Sequence, residues 1–336
     1  MTEKILSKDK WSEFLSYLAS SNKVWALTGD NPVEYTPYSE GESVNLGVKN
    51  SAVPPKSIVF PQTETMFEFK VGETEVELPE KSEEQMVIGL RPCDAKAMSI
   101  VDSLFGWDFD DEYYQEKRKK SLLVGMACNE PCINCFCTSV GGGPASTEGL
   151  DVLMADLGES YYLVAASDRG KEILAGASVL VDAADGDKKA FEDKAKEAEG
   201  SIKRSIDTTG IPEGLPKLWE DALWKEVSAA CLGCGTCTYL CPTCHCFDIQ
   251  DEVEGKDARR CRMWDSCMFE EYTLHTSGHN TRPTRRERTR NRINHKYNYY
   301  VSKFDKIACV GCGRCINQCP VNIDILEILS KVKEAL

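Results

Sequence analysis

The chain contains the stretch Cys231-Leu-Gly-Cys234-Gly-Thr-Cys237-Thr-Tyr-Leu-Cys241-Pro242 and a second copy of the same pattern, Cys309-Val-Gly-Cys312-Gly-Arg-Cys315-Ile-Asn-Gln-Cys319-Pro320. Both copies have the spacing Cys-x2-Cys-x2-Cys-x3-Cys-Pro. In this spacing the first three thiolates lie on one tight loop and bind three irons of a [4Fe-4S] cubane, while the fourth cysteine binds the other cluster. The repeat therefore predicts a bacterial-type ferredoxin domain with two clusters.

Because the fourth cysteine of each motif binds the other motif's cluster, the two ligand sets can be assigned. Cluster 1 is assigned Cys231, Cys234, Cys237 and Cys319, and cluster 2 is assigned Cys309, Cys312, Cys315 and Cys241. A pair of zinc knuckles is the alternative. A zinc site takes four ligands in two pairs, often with histidine, and two full copies that each end in Cys-Pro fit that pattern badly. We therefore interpret these eight cysteines as cluster ligands.

The part of the chain before the repeat is predicted to be α/β. Residues 86–90 (MVIGL) and 122–127 (LLVGMA) are short apolar runs typical of buried strands, and the stretch 152–166 suggests a hairpin. Asp94 is expected to cap a helix over 95–105, in which apolar residues fall on one face. Strands that alternate with helices indicate a mixed α/β sheet.

A boundary is predicted shortly before the first cysteine loop. Residues 211–216 (IPEGLP) contain two prolines and a glycine, a composition typical of a connection between domains. We therefore expect an α/β domain over 1–210 and a ferredoxin-like domain over 211–336. The second domain carries a long insertion at 242–308, between its two cysteine loops.

The predicted α/β domain holds five cysteines of its own, namely Cys93, Cys128, Cys132, Cys135 and Cys137. Cys93 and Cys128 each follow the carboxyl end of a predicted strand, which is where ligands gather in open α/β sheets. We hypothesise a third [4Fe-4S] cluster on Cys93, Cys128, Cys135 and Cys137, with Cys132 left out. Packing as buried apolar residues and a zinc site are the alternatives. An iron content of about twelve rather than about eight per chain would support the cluster.

The insertion adds Cys244, Cys246, Cys261 and Cys267. Cys244, Cys246 and Cys267 are candidate ligands of a further iron–sulfur or other metal centre. The fourth ligand would be Cys261 or one of His245, His275 and His279. The same cysteines are interpreted equally well as packing residues that shield cluster 2 from water and tune its potential.

Six arginines stand close together in residues 282–292 (RPTRRERTRNR), in a chain that is otherwise acidic. We interpret this basic run as counter-charge to the anionic clusters or as a docking site for a partner subunit. A solvated helix face is the simplest alternative. A nucleic-acid site is disfavoured, because no interleaved aromatic residues or known binding motif accompany the arginines.

Composition bounds the remaining classes of function. The 336 residues carry a net charge of −14, which disfavours nucleic acid as a partner. We see no signal peptide and no apolar run long enough to span a membrane, so the protein is expected in the cytoplasm. The 17 cysteines are an odd number, and short Cys spacings in a reducing compartment point to metal rather than disulfides.

Several stretches together resemble one family. They are Arg91-Pro92-Cys93-Asp94, Cys135-Phe136-Cys137, Cys241-Pro-Thr-Cys244-His-Cys246-Phe247, Trp264-Asp-Ser-Cys267, Gly278-His279-Asn280 and the second ferredoxin loop from Cys309. The chain resembles the iron–sulfur β subunit of hydrogenase/sulfur reductase complexes and the corresponding iron–sulfur subunit of anaerobic sulfite reductase. That resemblance implies a protein without a substrate site of its own, which relays electrons between a flavin-containing, NAD(P)-binding subunit and a catalytic redox subunit.

The leading prediction is therefore an electron-transfer subunit of a cytoplasmic oxidoreductase complex of anaerobic metabolism, not an enzyme on its own. No Gly-x-Gly-x-x-Gly motif follows a predicted strand, which disfavours a nucleotide site in this chain. One alternative is a free soluble multi-cluster carrier, and another is an iron–sulfur regulatory or nucleic-acid-binding protein. The sequence leaves the terminal reaction open among hydrogen, sulfite, polysulfide and disulfide chemistry, and it leaves the direction of electron flow open.

Overall fold

The strands of the protein form two sheets. The computed structural model describes residues 2–29 and 33–336. In these ranges the strands are β1 (Glu3–Ser7), β2 (Lys23–Thr28), β3 (Glu34–Pro37), β4 (Thr63–Lys70), β5 (Val76–Glu77), β6 (Gln85–Leu90), β7 (Ser121–Met126), β8 (Val152–Asp156), β9 (Ser160–Ala165), β10 (Val181–Asp182), β11 (Phe247–Glu254) and β12 (Asp257–Trp264).

Helices pack on both faces of the larger sheet and make up much of the C-terminal part. They are α1 (Trp11–Ala19), α2 (Lys56–Val59), α3 (Pro92–Phe105), α4 (Glu112–Lys119), α5 (Asp168–Gly176), α6 (Asp185–Ser201), α7 (Ile211–Gly214), α8 (Leu223–Ser228), α9 (Thr236–Tyr239), α10 (Arg285–Asn294), α11 (Tyr300–Phe304), α12 (Arg314–Asn317) and α13 (Ile325–Ala335). A π-helical turn, His295–Tyr299, joins α10 to α11 without a break.

The larger sheet has eight strands in the order β10-β1-β9-β8-β7-β6-β2-β3. Its centre, β2-β6-β7-β8, is parallel, and the strands on either side are antiparallel. Every residue of β6 and β7 is buried, because apolar clusters cover both faces of the sheet at its centre. The predicted strands at 86–90 and 122–127 and the hairpin within 152–166 are confirmed.

The expected cap of the helix after β6 is wrong in one respect. Helix α3 begins at Pro92, so Arg91 is its N-cap residue and Asp94 lies inside its first turn. Proline is favoured at the first helical position, because its missing N–H would have no partner there. The Asp94 carboxylate is instead used by a long-range contact with Arg314, at an Oδ1–Nη1 distance of 2.6 Å.

The smaller sheet combines strands from both sides of the predicted boundary at residue 210. Its order is β11-β12-β4-β5, all antiparallel, and β4 comes from the N-terminal part while β11 and β12 lie in the insertion. Arg262 on β12 is 2 % exposed and pairs with Glu64 of β4 and with Asp111. The insertion is therefore packed against the α/β part and not only against the ferredoxin loops.

The C-terminal helices enclose an apolar cluster of their own. Trp224 of α8, Ile293 of α10, Tyr297 of the π-helical turn and Leu329 of α13 are all buried in it. The indole of Trp224 donates to the carbonyl oxygen of Leu218 at 2.6 Å, so its polar atom is satisfied in this core. This apolar cluster packs against the second ferredoxin loop.

Candidate iron-sulfur sites

The first ferredoxin loop and the fourth cysteine of the second motif line one cavity. Its lining includes the four cysteines assigned to cluster 1, together with Cys315 and Arg292; the four are Cys231, Cys234, Cys237 and Cys319. Gly233 and Gly235 have φ values of +72° and +75°, which only glycine adopts without strain as the loop wraps the cavity. Cys234 is exposed and Cys231 is buried, so one corner of the site reaches the surface.

The second loop repeats this geometry in a more enclosed place. Gly311 and Gly313 have φ values of +63° and +75°. Burial raises the pKa of the Cys312 thiol to about 12 against the lowering effect of Arg314, and the neighbouring Cys241 raises it further. A thiol of this pKa is protonated at neutral pH, so iron binding here must displace the proton. Cys241 therefore lies close to the second ferredoxin loop, as the predicted ligand set of cluster 2 requires.

A second cavity lies at the carboxyl edge of β6 and β7, as the neighbouring parallel strands predicted. All five cysteines of the α/β part line it, and Cys312 of the second ferredoxin loop completes the lining; the five are Cys93, Cys128, Cys132, Cys135 and Cys137. Cys93 stands in the first turn of α3 and Cys128 directly follows β7. The four predicted ligands of the third cluster are brought together, and so is Cys132, which was not among them.

The third site and the second ferredoxin loop are in direct contact. The backbone N–H of Phe136 donates to the carbonyl oxygen of Gly311 at 2.8 Å. A Cβ atom on Gly311 would lie 2.6 Å from the backbone nitrogen of Cys137, closer than real Cβ atoms approach, so only glycine fits there. The buried Arg314–Asp94 pair adds a second link between the same two segments. Neither contact could be read from the cysteine spacings.

Three cysteines of the insertion and the neighbouring Cys241 form two thiol pairs. A hydrogen bond between the thiols of Cys241 and Cys244 lowers the pKa of the first and raises that of the second. A second such bond, between Cys246 and Cys267, lowers the pKa of Cys246 to about 6. Cys261 lies buried on β12, where it is registered opposite Gln250 and Thr65.

The histidines named as candidate ligands lie in other surroundings. The ring of His245 packs against His295 and Tyr300, and its Nδ1 is 3.1 Å from the carbonyl oxygen of Thr243. Burial lowers the pKa of His245 to about 3, so its ring stays neutral. His275 and His279 face each other across an exposed turn, with ring centroids 5.5 Å apart.

Buried cations stand beside the thiols of the ferredoxin part. The Nζ atom of Lys296, in the π-helical turn, is 3.2 Å from the sulfur of Cys241 and 3.5 Å from that of Cys244. Burial opposes this charge, but Cys241 and Cys244 outweigh it and hold the pKa of Lys296 well above its usual value. Arg292, one turn earlier, is 5 % exposed and lines the cluster 1 cavity, and its Nε and Nη2 atoms have no hydrogen-bond partner among the residues that the structure describes.

Sequence reasoning missed Lys296. The signal that could have found it is its position four residues after Arg292, on the same face of a helix that is otherwise rich in tyrosine there. The basic run 282–292 also differs from a solvated face, since Arg288, Arg290 and Arg292 are buried. Arg290, for example, donates to the carbonyl oxygen of Trp219 at 2.6 Å and stacks over its ring.

The cysteines of the predicted sites surround cavities. Among residues 2–29 and 33–336, no three Cys, His, Asp or Glu side chains are arranged to hold one metal ion. The cysteines of a cubane each bind a different iron atom, so they line a cavity instead of meeting at one point. The donors present, thiols beside backbone amides and buried cations, fit an anionic iron–sulfur cluster.

Comparison with known proteins places this chain in a family. A family model described as a 4Fe-4S dicluster domain matches residues 230–323. Sulfhydrogenase 2 subunit beta of Pyrococcus furiosus is 30% identical over 337 residues, which cover 98% of each chain. The chain belongs to the family of iron–sulfur hydrogenase β subunits. As a member of this β-subunit family, it is an iron–sulfur protein of electron transfer.

The match to the β-subunit family extends across the α/β part as well as the ferredoxin part, since it covers nearly the whole chain. No solved structure matches the chain. In the described ranges, no helix combines the length and the apolar character that crossing a membrane requires.

Proposed function

We propose that this chain is the electron-transfer subunit of a cytoplasmic hydrogenase-type complex. It relays electrons between a flavin-containing, NAD(P)-binding subunit and a catalytic redox subunit, and it transforms no substrate itself. The name of its relative, a subunit of a sulfhydrogenase, supports a place in a complex. The observation that carries the proposal is that two cysteine-lined cavities each include one cysteine of the predicted cluster 2, which would place three sites in a row.

The cysteines of cluster 2 define this row. Cys315 belongs to cluster 2 and also lines the cavity of cluster 1. Cys312 belongs to cluster 2 as well and lines the cavity of the third site. With the groups bound, cluster 2 would be the middle centre, held between the third site and cluster 1 by the cysteines of this chain. Each [4Fe-4S] group supplies one-electron chemistry when bound, and the chain's part is to hold, space and screen them.

The proposed cluster ligands are the cysteines that the spacing in the sequence predicts. Cluster 1 would be held by Cys231, Cys234, Cys237 and Cys319, cluster 2 by Cys309, Cys312, Cys315 and Cys241, and the third by cysteines of the α/β part including Cys93, Cys128, Cys135 and Cys137. Iron content tests the count, since two clusters give about eight irons per chain and three give about twelve. Colourless, zinc-filled protein from an anaerobic preparation would contradict the proposal.

Variants separate the sites. Cys312→Ala and Cys128→Ala each remove one ligand, so each is expected to lose about four irons and one electron paramagnetic resonance (EPR) signal of the reduced protein. Cys261→Ala is the matched control, because Cys261 is a buried cysteine on β12 apart from the three sites. Its iron content is expected to equal that of the parent protein. Full iron retention in Cys312→Ala would overturn the ligand assignment.

A further centre on Cys244, Cys246 and Cys267 is a separate proposal. The pairing of these thiols with each other and with Cys241 supports a common site. Such a centre would add iron beyond the roughly twelve atoms of three clusters, and Cys246→Ala would bring the content back to about twelve. Content of about twelve in both proteins would instead assign these cysteines to the screening of cluster 2.

The alternative of a free carrier makes a different prediction for purification. A relay subunit is expected to elute, under anaerobic and native conditions, together with a flavin-containing chain and a catalytic chain. A free carrier would elute alone with full iron. The nucleic-acid alternative loses its main support, because the arginines at 288, 290 and 292 are buried in the protein.

A further inference from the structure

The third site contains one thiol more than a cubane needs. Five cysteines of the α/β part line its cavity, and the sixth, Cys312, is already used by cluster 2. A [4Fe-4S] cluster takes four thiolates, one on each iron. One of the five is therefore in surplus, and the structure shows where the surplus lies.

Three of the five cysteines are held by surrounding structure. Cys93 stands in the first turn of α3, and Cys128 donates its backbone N–H to the carbonyl oxygen of Pro144 at 2.9 Å. Cys137 is buried beside Gly311, and its carbonyl oxygen accepts from the backbone N–H of Gly142 at 2.9 Å. Each of these three comes from a different segment, so none can replace another without moving the backbone.

Cys132 and Cys135 are related differently. They stand at the two ends of one turn, in which the backbone N–H of Cys135 donates to the carbonyl oxygen of Cys132 at 3.0 Å. The sulfur of Cys135 is 3.1 Å from the same oxygen. Both thiols line the same cavity from the same loop. Either one can reach the same corner of a cluster through a local change in this turn.

The turn is at the surface, and its two ends are held differently. Ile133, between the two cysteines, is 85 % exposed. Near Cys135, the side chain of Asn134 is anchored by hydrogen bonds with Arg204 and Asn317, both at 2.6 Å. Near Cys132, Glu130 forms only an exposed ion pair with Lys49, which gives this end little anchorage. Segments with few buried contacts are the ones that rearrange most readily.

We propose that Cys132 and Cys135 share the fourth corner of the third cluster, so that either thiolate completes the site with Cys93, Cys128 and Cys137. This rests on the third cluster of the proposed function. In the exchange, one thiol gives up its proton and forms the Fe–S bond, and the departing thiolate takes up one proton. Neither iron nor sulfur changes oxidation state, and no other reactant is needed.

Four variants test the shared corner in the anaerobically prepared full chain, by iron content and by EPR of the reduced protein. Cys132→Ala and Cys135→Ala are each expected to keep about twelve irons per chain, as the parent protein does. The double variant is expected to fall to about eight and to lose one EPR signal. Cys93→Ala, the control for a fixed ligand, is expected to fall to about eight alone.

The outcomes that overturn the inference are distinct. A fall to about eight irons in either single variant means that one cysteine alone serves the corner. Retention of about twelve in the double variant means that neither does. About eight irons in the parent protein would remove the third cluster and this inference with it, while clusters 1 and 2 stand. The eight irons that remain in each variant also report that the chain has folded.

Discussion

One ion pair, between Arg314 and Asp94, joins the second ferredoxin loop to helix α3. Arg314 is 2 % exposed and Asp94 is 1 % exposed, and the guanidinium also donates from Nε to the carbonyl oxygen of Ser51 at 2.8 Å. Breaking a buried pair by removing one partner leaves an uncompensated charge. The relative position of the third site and the second ferredoxin loop thus depends in part on the ion pair between Arg314 and Asp94.

Asp94→Ala is therefore expected to lower the free energy of unfolding by about 3–5 kcal/mol. Chemical denaturation of the anaerobic protein, followed by circular dichroism, measures this. Glu13→Ala is the control, because its ion pair with Lys10 is exposed and such pairs contribute little to stability. Equal effects of the two substitutions would show that the Arg314–Asp94 pair has no special weight.

A histidine gives the fold a dependence on pH. Burial lowers the pKa of His295 to about 4, and the positive charges of Lys296 and Arg282 lower it further while Cys241 opposes them. Below pH about 6.5 the unfolded chain binds a proton that the folded chain refuses, so stability falls as pH falls, by up to about 1.4 kcal/mol per pH unit. Above that pH both states are neutral at this ring and the effect is absent.

His295→Phe is expected to reduce the loss of unfolding free energy between pH 7 and pH 5 by up to about 2 kcal/mol. Phenylalanine keeps a ring against His245 and Tyr300, which lie 5.3 and 5.4 Å away by ring centroids. Urea denaturation at the two pH values measures the difference. His279→Phe, which removes a histidine from an exposed turn, supplies the control. An unchanged loss in His295→Phe would show that this ring does not set the acid limb.

At the scale of elements, the π-helical turn between α10 and α11 determines where a buried charge stands. Inserted turns of this kind are frequent at functional sites. The turn directs Lys296 at the sulfurs of Cys241 and Cys244, and the ammonium also donates to the carbonyl oxygen of Ala308 at 3.0 Å. With a cluster bound at Cys241, this charge would stabilise the more negative, reduced state of the cluster.

Lys296→Met is expected to lower the reduction potential of cluster 2. At an effective dielectric constant near 20, one charge about 4–8 Å away is worth about 2–4 kcal/mol, which for one electron is roughly 90–180 mV. EPR-monitored redox titration measures the shift. Lys303→Met is the control, since Lys303 lies on the same continuous helix but is exposed. A shift of similar size in both variants would contradict the assignment.

The elements differ in how far the sequence predicts them. Strands β6 and β7 are continuous apolar runs, and the cysteine spacing specifies both ferredoxin loops, so local signals suffice for these. The smaller sheet was not predicted. Half of the residues of its strand β11 (FDIQDEVE) are charged and nearly all of them are exposed, and β12 pairs with β4, which lies far away in the sequence. The pairings of Lys296 and Asp94 were missed for the same reason, because their partners are distant in the chain.

For the whole molecule, the predicted cluster 1 site lies nearer to solvent than the predicted cluster 2 site. Cys234 of the cluster 1 set is exposed and is flanked by Leu232, which is 56 % exposed, whereas Cys309 of the cluster 2 set is buried. Solvent exposure governs how readily an oxidant reaches a cluster. Of these two sites, cluster 1 is thus the one that an oxidant in solution would reach first.

Limited ferricyanide treatment is expected to destroy cluster 1 before cluster 2. The EPR signals of the two clusters, assigned with Cys234→Ala and Cys312→Ala, give the order of loss. Protein kept in the dithionite-reduced state without ferricyanide serves as the reference. Loss of the cluster 2 signal first would show that the exposed corner at Cys234 is not the point of attack.

The shared sheet has a consequence for how this gene can be rearranged. Strand β12 pairs with β4 along Asp257–Met263, although β4 belongs to the other half of the polypeptide. A fragment of residues 211–336 would carry every ferredoxin cysteine, yet it would present β12 as an open edge, which invites pairing with other chains. The ferredoxin part therefore cannot be transferred to another protein as residues 211–336 alone, and a transferred fragment has to include β4.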